Sequence, residues 1–230
     1  MKHPPGAPLE TLLQAADGLI FDCDGTLVDS LHAYASAWRA AFAESGKVMD
    51  TAWHAARCGL CETQLMAHFE HTHQVTLDRP RAVATMRQHY LANLSRQVCE
   101  ITQVTAIARR FAGVKPMAVA SSGSREIVLN SLAALGLAEL FDAIVTFDDV
   151  GKAKPDPAIH LQAARQLGLA AARCLVFEDS EQGLEAARRG RLPVVDVTRL
   201  PPPDLLALPE ATNNPIRHIA RRRRRQERFK

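Results

Sequence analysis

Apolar residues follow two different rhythms along this chain of 230 residues. From Leu31 to Gly46, in His32-Ala-Tyr-Ala-Ser-Ala-Trp-Arg-Ala-Ala-Phe, they recur at helical spacing, and similar patterns predict helices at about 50 to 57, 62 to 73 and 80 to 97. No convincing strand interrupts them, so this stretch is expected to be an all-helical insertion. Beyond it, short apolar runs alternate with amphipathic segments. The predicted order is helix near 101 to 111, strand Met117 to Ala120, helix 124 to 135, strand Ala143 to Phe147, helix 157 to 167, strand Cys174 to Phe177, helix 180 to 189 and strand Pro193 to Val197. Apolar strands separated by helices imply a parallel sheet covered on both faces. Leu19 to Phe21 supplies another strand ahead of the helical stretch, so the sheet is split around the insertion. Leu200-Pro201-Pro202-Pro203 ends the regular pattern, because consecutive prolines continue neither a helix nor a central strand.

Composition adds limits. At 47% apolar residues the chain is able to bury a full core and a smaller subdomain. No apolar stretch approaches the roughly 20 residues needed to span a bilayer, and Met1-Lys-His-Pro-Pro-Gly lacks the apolar centre of a signal peptide, so a cytoplasmic location is expected. Five scattered cysteines do not resemble a disulfide framework, and most are expected to be small buried residues. The net charge of +3 conceals an asymmetry: residues 217 to 230 hold eight Lys/Arg and one Glu, leaving 20 basic and 24 acidic side chains elsewhere. The basic run Arg221 to Arg225 reads either as a solvated tail or as a weak attraction to nucleic acid or anionic surfaces.

Candidate chemistry begins where the first strand ends, in Phe21-Asp22-Cys23-Asp24-Gly25-Thr26. Two acids one residue apart repel unless a cation or a shared proton relieves them, and a hard divalent ion bound through oxygens is the natural partner. A calcium loop of the EF-hand kind is excluded, since Gly25 comes too early and Ala33 occupies the position of its closing Glu. Three further stations follow at successive strand ends. Ser121-Ser122-Gly123-Ser124 precedes a helix, where hydroxyls and free N–H groups suit an anion. Lys154 lies on a loop stiffened by two prolines, in Lys152-Ala-Lys-Pro-Asp-Pro, and suits phosphate as a point charge. Glu178-Asp179 closes the strand Cys174 to Phe177 and suits a magnesium site. Taken singly, these are a helix cap, a solvated lysine and a capping pair; their order along one sheet edge is what singles them out.

Together these segments resemble the four motifs of the haloacid dehalogenase superfamily of phosphohydrolases: FDCDGTLVDS, AVASSGS, KAKPDP and VFEDSEQGLEAA. The resemblance covers residues 18 to about 198. It implies an α/β, Rossmann-like parallel-sheet core from 1–32 and 98–200, a helical cap at 33–97 and a Pro/Arg-rich tail at 201–230. It further implies that Asp22 is the nucleophile and forms an aspartyl-phosphate, while Asp24 protonates the leaving oxygen and then activates water. Ser121, Ser122 and Lys154 would hold the phosphoryl oxygens. Mg²⁺ would be bound by Asp22, the Asp24 carbonyl and Asp179, with Glu178 beside it. The second acid favours phosphoryl transfer over dehalogenation, because family dehalogenases lack it.

Within the family the chain is most similar to the sugar-phosphatase and β-phosphoglucomutase branch, especially to bacterial fructose-1-phosphate phosphatases. The expected function is hydrolysis of a small phosphorylated metabolite, a sugar phosphate. A phosphomutase is the alternative, and a non-catalytic phosphate- or nucleic-acid-binding protein a third. Against the mutase stand Tyr34, where those enzymes have His, and Glu62, near the position of an Arg that grips a second phosphate; an acid there is expected to repel it. Cys58 and Cys61 with His68, His71 and His73 suggest zinc superficially, but the spacing is poor and ordinary packing is preferred.

Overall fold

A computed structural model describes residues 9–202; the Arg221 to Arg225 run and the rest of the tail from 203 onward lie outside them. In chain order the main elements are α1 (Leu9–Ala15), β1 (Gly18–Phe21), β2 (Val28–Asp29), α2 (Leu31–Ala43), α3 (Thr51–Ala55), α4 (Glu62–His73), α5 (Arg79–Gln97), β3 (Cys99–Glu100) and α6 (Thr102–Phe111). There follow β4 (Met117–Ser121), α7 (Arg125–Ala134), β5 (Ala143–Thr146), α8 (Phe147–Val150), α9 (Ala158–Gln166), β6 (Cys174–Glu178), α10 (Glu181–Arg189) and β7 (Val194–Asp196).

Five strands form one parallel sheet in the order β5-β4-β1-β6-β7. β1 lies at its centre and all four of its residues are buried, as a strand with helices on both faces requires. Side chains alternate faces along a strand, and two apolar layers result. Leu19, Phe21, Met117, Val119, Leu175 and Phe177 enter one layer, which α6 and α7 cover with Val104, Ile107, Val128 and Leu132. Ile20, Ala118, Ala120, Cys174 and Val176 enter the other, which α9 and α10 cover with Ile159, Ala163 and Ala187. Phe21 and Phe177, neighbours on β1 and β6, stack with ring centroids 4.7 Å apart.

The helices α2 to α5 build a separate apolar core from Trp38, Phe42, Met49, Leu65, Met66, Phe69, Met86 and Tyr90. Its centre is an aromatic stack, with Phe42 and Phe69 ring centroids 3.9 Å apart and Trp38 5.0 Å from Phe42. The buried Ile127 of α7 belongs to this cluster, and the Tyr90 hydroxyl lies 3.1 Å from Ser131 Oγ, so the helical unit rests on one helix of the sheet layer.

Some elements were not expected. α1 is only seven residues long and anchors through the buried Leu13 and a paired Glu10–Arg110 contact. β2 and β3 form a two-stranded antiparallel ribbon, Val28 opposite Glu100 and Asp29 opposite Cys99, where the chain enters and leaves the helical unit. Pairs of residues this short carry no periodicity, which is why the insertion reads as purely helical in sequence. β4 and β6 each run one residue further than the apolar pattern suggested, which takes Ser121 and Glu178 into the sheet. Of the cysteines, all free, Cys23, Cys61 and Cys174 are buried whereas Cys58 and Cys99 are exposed.

Phe69 is fully buried between two aromatic neighbours in the helical unit. Phe69→Ala is expected to lower the free energy of urea unfolding by about 3–5 kcal/mol. A loss below about 1 kcal/mol would show that the ring is not packed as described.

Candidate active site

The carboxyl ends of β1, β4 and β6 lie side by side, and each delivers functional groups to one cleft. Asp22 follows β1 directly, its N–H donating to the Phe177 carbonyl at 3.0 Å. The chain then turns around Cys23, whose carbonyl accepts from the N–H groups of Leu27 and Val28, each at 2.9 Å. Asp24 therefore does not continue an extended strand beside Asp22. Its carboxylate takes the Ser30 hydroxyl at 2.7 Å instead.

Gly25 makes this turn possible. Its φ is +83°, and a Cβ added there would fall 2.2 Å from Asp179 Oδ2. Glycine thus meets both a backbone and a space requirement. The next residue, Thr26, donates its hydroxyl to Asp179 Oδ1 at 2.9 Å and orients that acid. Thr26 and Ser30 were not singled out in the sequence, although both lie within the first motif.

Lys154 is 2% exposed. Its ammonium lies between two carboxylates, donating to Asp22 Oδ1 at 2.5 Å and also to Glu178 Oε1. Glu178 is fully buried and receives two more groups: His160 Nε2 at 3.2 Å and the Ser180 hydroxyl at 3.3 Å. Gly183, whose added Cβ would lie 2.0 Å from Glu178 Oε2, leaves room for that carboxylate under α10. His160, on α9, had no distinguishing signal in the sequence. The structure thus engages Lys154 with carboxylates and gives Glu178 the work of holding it.

Among the described residues, one group has the composition of a cation site: oxygens of Asp22, Glu178 and Asp179 lie within 4.8 Å of one another. The Asp24 carboxylate is not part of it. Three carboxylates against one ammonium leave negative charge uncompensated, and the proton affinities record this. Burial, together with Glu178, pushes Asp22 well above the ordinary carboxylate range despite Lys154. Burial, then Glu178, raises Asp179 to about 6. Glu178 is lowered: burial opposes its charge, but Lys154 and His160 outweigh it. A hard divalent cation matches this all-oxygen donor set and its missing positive charge. Asp24 is also raised by burial, against hydrogen bonds from Ser30, Ser121 and Tyr34. A carboxyl that keeps its proton more readily is suited to general acid work.

Ser121 ends β4 buried, its Oγ accepting from the Gly123 N–H at 3.0 Å. Ser124 holds the N-cap position of α7, yet its side chain makes no capping bond, so the capping explanation for this serine-rich turn does not apply to it. The Ser122 and Ser124 hydroxyls are both buried without a hydrogen-bond partner. Unpartnered hydroxyls at the N-terminus of a ten-residue helix form a pole suited to an anion.

Above these groups lies a cavity of about 320 Å³. Asp22, Asp24, Ser121, Ser122, Lys154 and Asp179 line its base, and Tyr34, Trp38, His54, Arg57 and Cys58 come from the helical unit. That unit closes onto the sheet edge at Gly59, where a Cβ would lie 2.9 Å from Ser180 Cβ and φ is +87°. Glu62 also lines the cavity, but Arg87 holds its carboxylate through hydrogen bonds of 3.1 and 2.9 Å. The repulsion expected from Glu62 is thereby blunted. Cys58 and Cys61 contribute to the cavity wall, while His68, His71 and His73 lie along α4.

Comparison with known proteins agrees with this arrangement. Residues 19–197 match the family described as haloacid dehalogenase-like hydrolase. The chain is 32% identical over 183 residues to the fructose-1-phosphate phosphatase YqaB of Escherichia coli (strain K12), covering 80% of this chain and 97% of that protein. It is 30% identical over 180 residues to hexitol phosphatase A of the same organism, covering 73% and 76% of the two chains. The fold is similar to the crystal structure of CbbY from Rhodobacter sphaeroides in complex with phosphate, with a TM-score of 0.71 at 24% identity over 78% of this chain and 84% of that one. Motifs, sheet order and the cluster at the strand ends converge on one conclusion: this chain belongs to the haloacid dehalogenase-like hydrolases.

Proposed function

We propose that this hydrolase is a Mg²⁺-dependent phosphatase of a small phosphorylated metabolite, a sugar phosphate, and that it works through an aspartyl-phosphate on Asp22. The observation that carries the reading is the meeting of Asp22, Lys154, Glu178 and Asp179 at the base of a cavity, next to the unpartnered hydroxyls of the β4–α7 turn. The likeness to sugar and polyol phosphatases supports the substrate class.

In this reading an Asp22 oxygen attacks phosphorus, and the bond to the ester oxygen breaks. Lys154 fixes the attacking carboxylate through Oδ1 and lessens the repulsion between it and the phosphate dianion. The Ser121 and Ser122 hydroxyls, with the N–H groups opening α7, receive the equatorial oxygens. Asp24 gives its proton to the leaving alkoxide and then takes one from a water molecule, which attacks the acyl phosphate; the bond to Asp22 breaks and inorganic phosphate leaves. Asp22 and Asp179, with the Asp24 carbonyl and with Glu178 beside them, would hold Mg²⁺, which when bound would supply positive charge to the phosphoryl oxygens. The helical unit at 33–97 acts as the cap that excludes water and selects the alcohol portion, and the core of 1–32 and 98–200 carries the chemistry.

No helix among the described residues is long and apolar enough to cross a membrane. A small phosphorylated metabolite is the partner this reading assigns.

Asp22→Asn is expected to reduce phosphate release from any ester substrate by about 10³-fold or more, with an unchanged far-UV circular dichroism spectrum. Retained Mg²⁺-dependent turnover would remove Asp22 from the nucleophile's role. Mutase action would show itself in the same assay as an isomerised ester in place of inorganic phosphate. For the cation, added Mg²⁺ is expected to raise the melting temperature of the wild-type protein, and Asp179→Asn to cut that rise by about half or more. An equal rise in both proteins would place the ion elsewhere.

A further inference from the structure

The cap side of the cavity holds a cation that the chemistry above does not use. Arg57 follows α3, and its Nη1 donates to the Trp53 carbonyl at 2.9 Å while the guanidinium carbon lies 4.1 Å over the Trp53 ring. These contacts fix the head group without offsetting its charge. Arg79, Arg81 and Arg87 of the same unit each lie against a carboxylate; Arg57 has no ion-pair partner among the described residues. Its Nε is buried with no hydrogen-bond partner. The nearby acid of the cavity wall, Glu62, is already taken by Arg87.

A second group stands beside it. His54, on α3, is 6% exposed and lines the same cavity, and its Nδ1 is buried without a partner. Burial lowers its pKa to about 4, so the ring is uncharged near neutral pH and serves as a hydrogen-bonding group. Buried polar groups are ordinarily satisfied, and two on one short segment lining one cavity imply a ligand that completes them.

The two sides of the cavity therefore have different chemistry. Its base concentrates carboxylates, one engaged lysine and serine hydroxyls; its cap side presents an unneutralised guanidinium, a neutral imidazole and the aromatic rings of Tyr34 and Trp38. We infer that Arg57 and His54 form a second subsite, and that the substrate is a phosphate monoester whose far end carries another anionic group, either a carboxylate or a second phosphate. The inference rests on the phosphatase reading of the cavity base. A neutral sugar end would leave a partly desolvated guanidinium without its counter-ion, whereas a planar fork of donors meets a carboxylate or phosphate with two hydrogen bonds. His54 completes the subsite by bonding an oxygen of the same group or an adjacent hydroxyl.

The test uses matched esters that differ at the far end: 6-phosphogluconate against glucose 6-phosphate for a carboxylate, and fructose 1,6-bisphosphate against fructose 1-phosphate for a phosphate. Phosphate release is measured with Mg²⁺ for the wild type, Arg57→Gln and Arg57→Lys. The acid-ended member of at least one pair is expected to lead by about 10- to 100-fold in kcat/KM, the worth of one or two charge-assisted hydrogen bonds. The pair that shows the lead identifies the anion. Arg57→Gln should bring the ratio close to one, mainly through KM, and Arg57→Lys should keep part of it because the charge remains. A wild-type preference for the neutral member of both pairs, or a ratio that survives in Arg57→Gln, would overturn the proposal. p-Nitrophenyl phosphate separates the two levels of the argument: if the wild type releases phosphate from neither it nor the four esters, the phosphatase reading fails. Calorimetric dissociation constants for the same pairs then decide the subsite, and equal affinity for acid-ended and neutral members would sink it.

Discussion

The buried ammonium of Lys154, shared between Asp22 and Glu178, is the contact on which the rest of the site depends. A lysine at 2% exposure survives as a cation only because carboxylates compensate its lost hydration, and the acids in turn rely on it. Removing one member of such a buried group costs about 3–5 kcal/mol, since a charge is left behind without a partner. Charge is still not balanced, because Asp179 and Asp24 stand within the same cleft. The excess is of the kind that a small hard cation would offset, and in the proposed reading such a cation would favour the ionised form of Asp22.

The neighbouring elements can be understood as supports for this group. Strand β6 carries Glu178 into the sheet, Gly183 leaves space for it, and His160 and Ser180 approach it from α9 and the start of α10. Gly25 and Thr26 do the same for Asp179 on the other flank. The site is consequently over-determined: Asp22, Glu178 and Asp179 are each held by at least one group from a different part of the chain, which limits reorganisation during reaction.

Much of this was legible in sequence. The alternation of apolar strands and amphipathic helices gave the parallel sheet, and the helix at 62 to 73 agrees with α4 at both ends. Asp22, Ser121, Ser122, Glu178 and Asp179 gather at one sheet edge, since each ends or closely follows a strand of the same sheet, whereas Lys154 reaches it from the loop after α8. What sequence did not reveal depends on contacts across long separations. His160 is an ordinary residue of an amphipathic helix until Glu178 is found beside it. Glu62 reads as a bare negative charge until Arg87, 25 positions later, closes on it. Arg57 becomes notable only through what it lacks among the described residues, a carboxylate paired with it. The ribbon of β2 and β3 escaped because two residues cannot display a period.

That ribbon has a consequence for how such a protein can change. The chain leaves the sheet layer through Val28–Asp29 and returns through Cys99–Glu100, so the helical lobe is joined to the catalytic layer by a single paired stalk. Neither the register of β1 against β4 nor the turn that carries Asp22 is built from residues beyond the stalk. In the proposed reading, phosphoryl chemistry and the choice of alcohol would then reside in separable parts of the chain, so that one substrate could be exchanged for another without rebuilding the residues that cleave it.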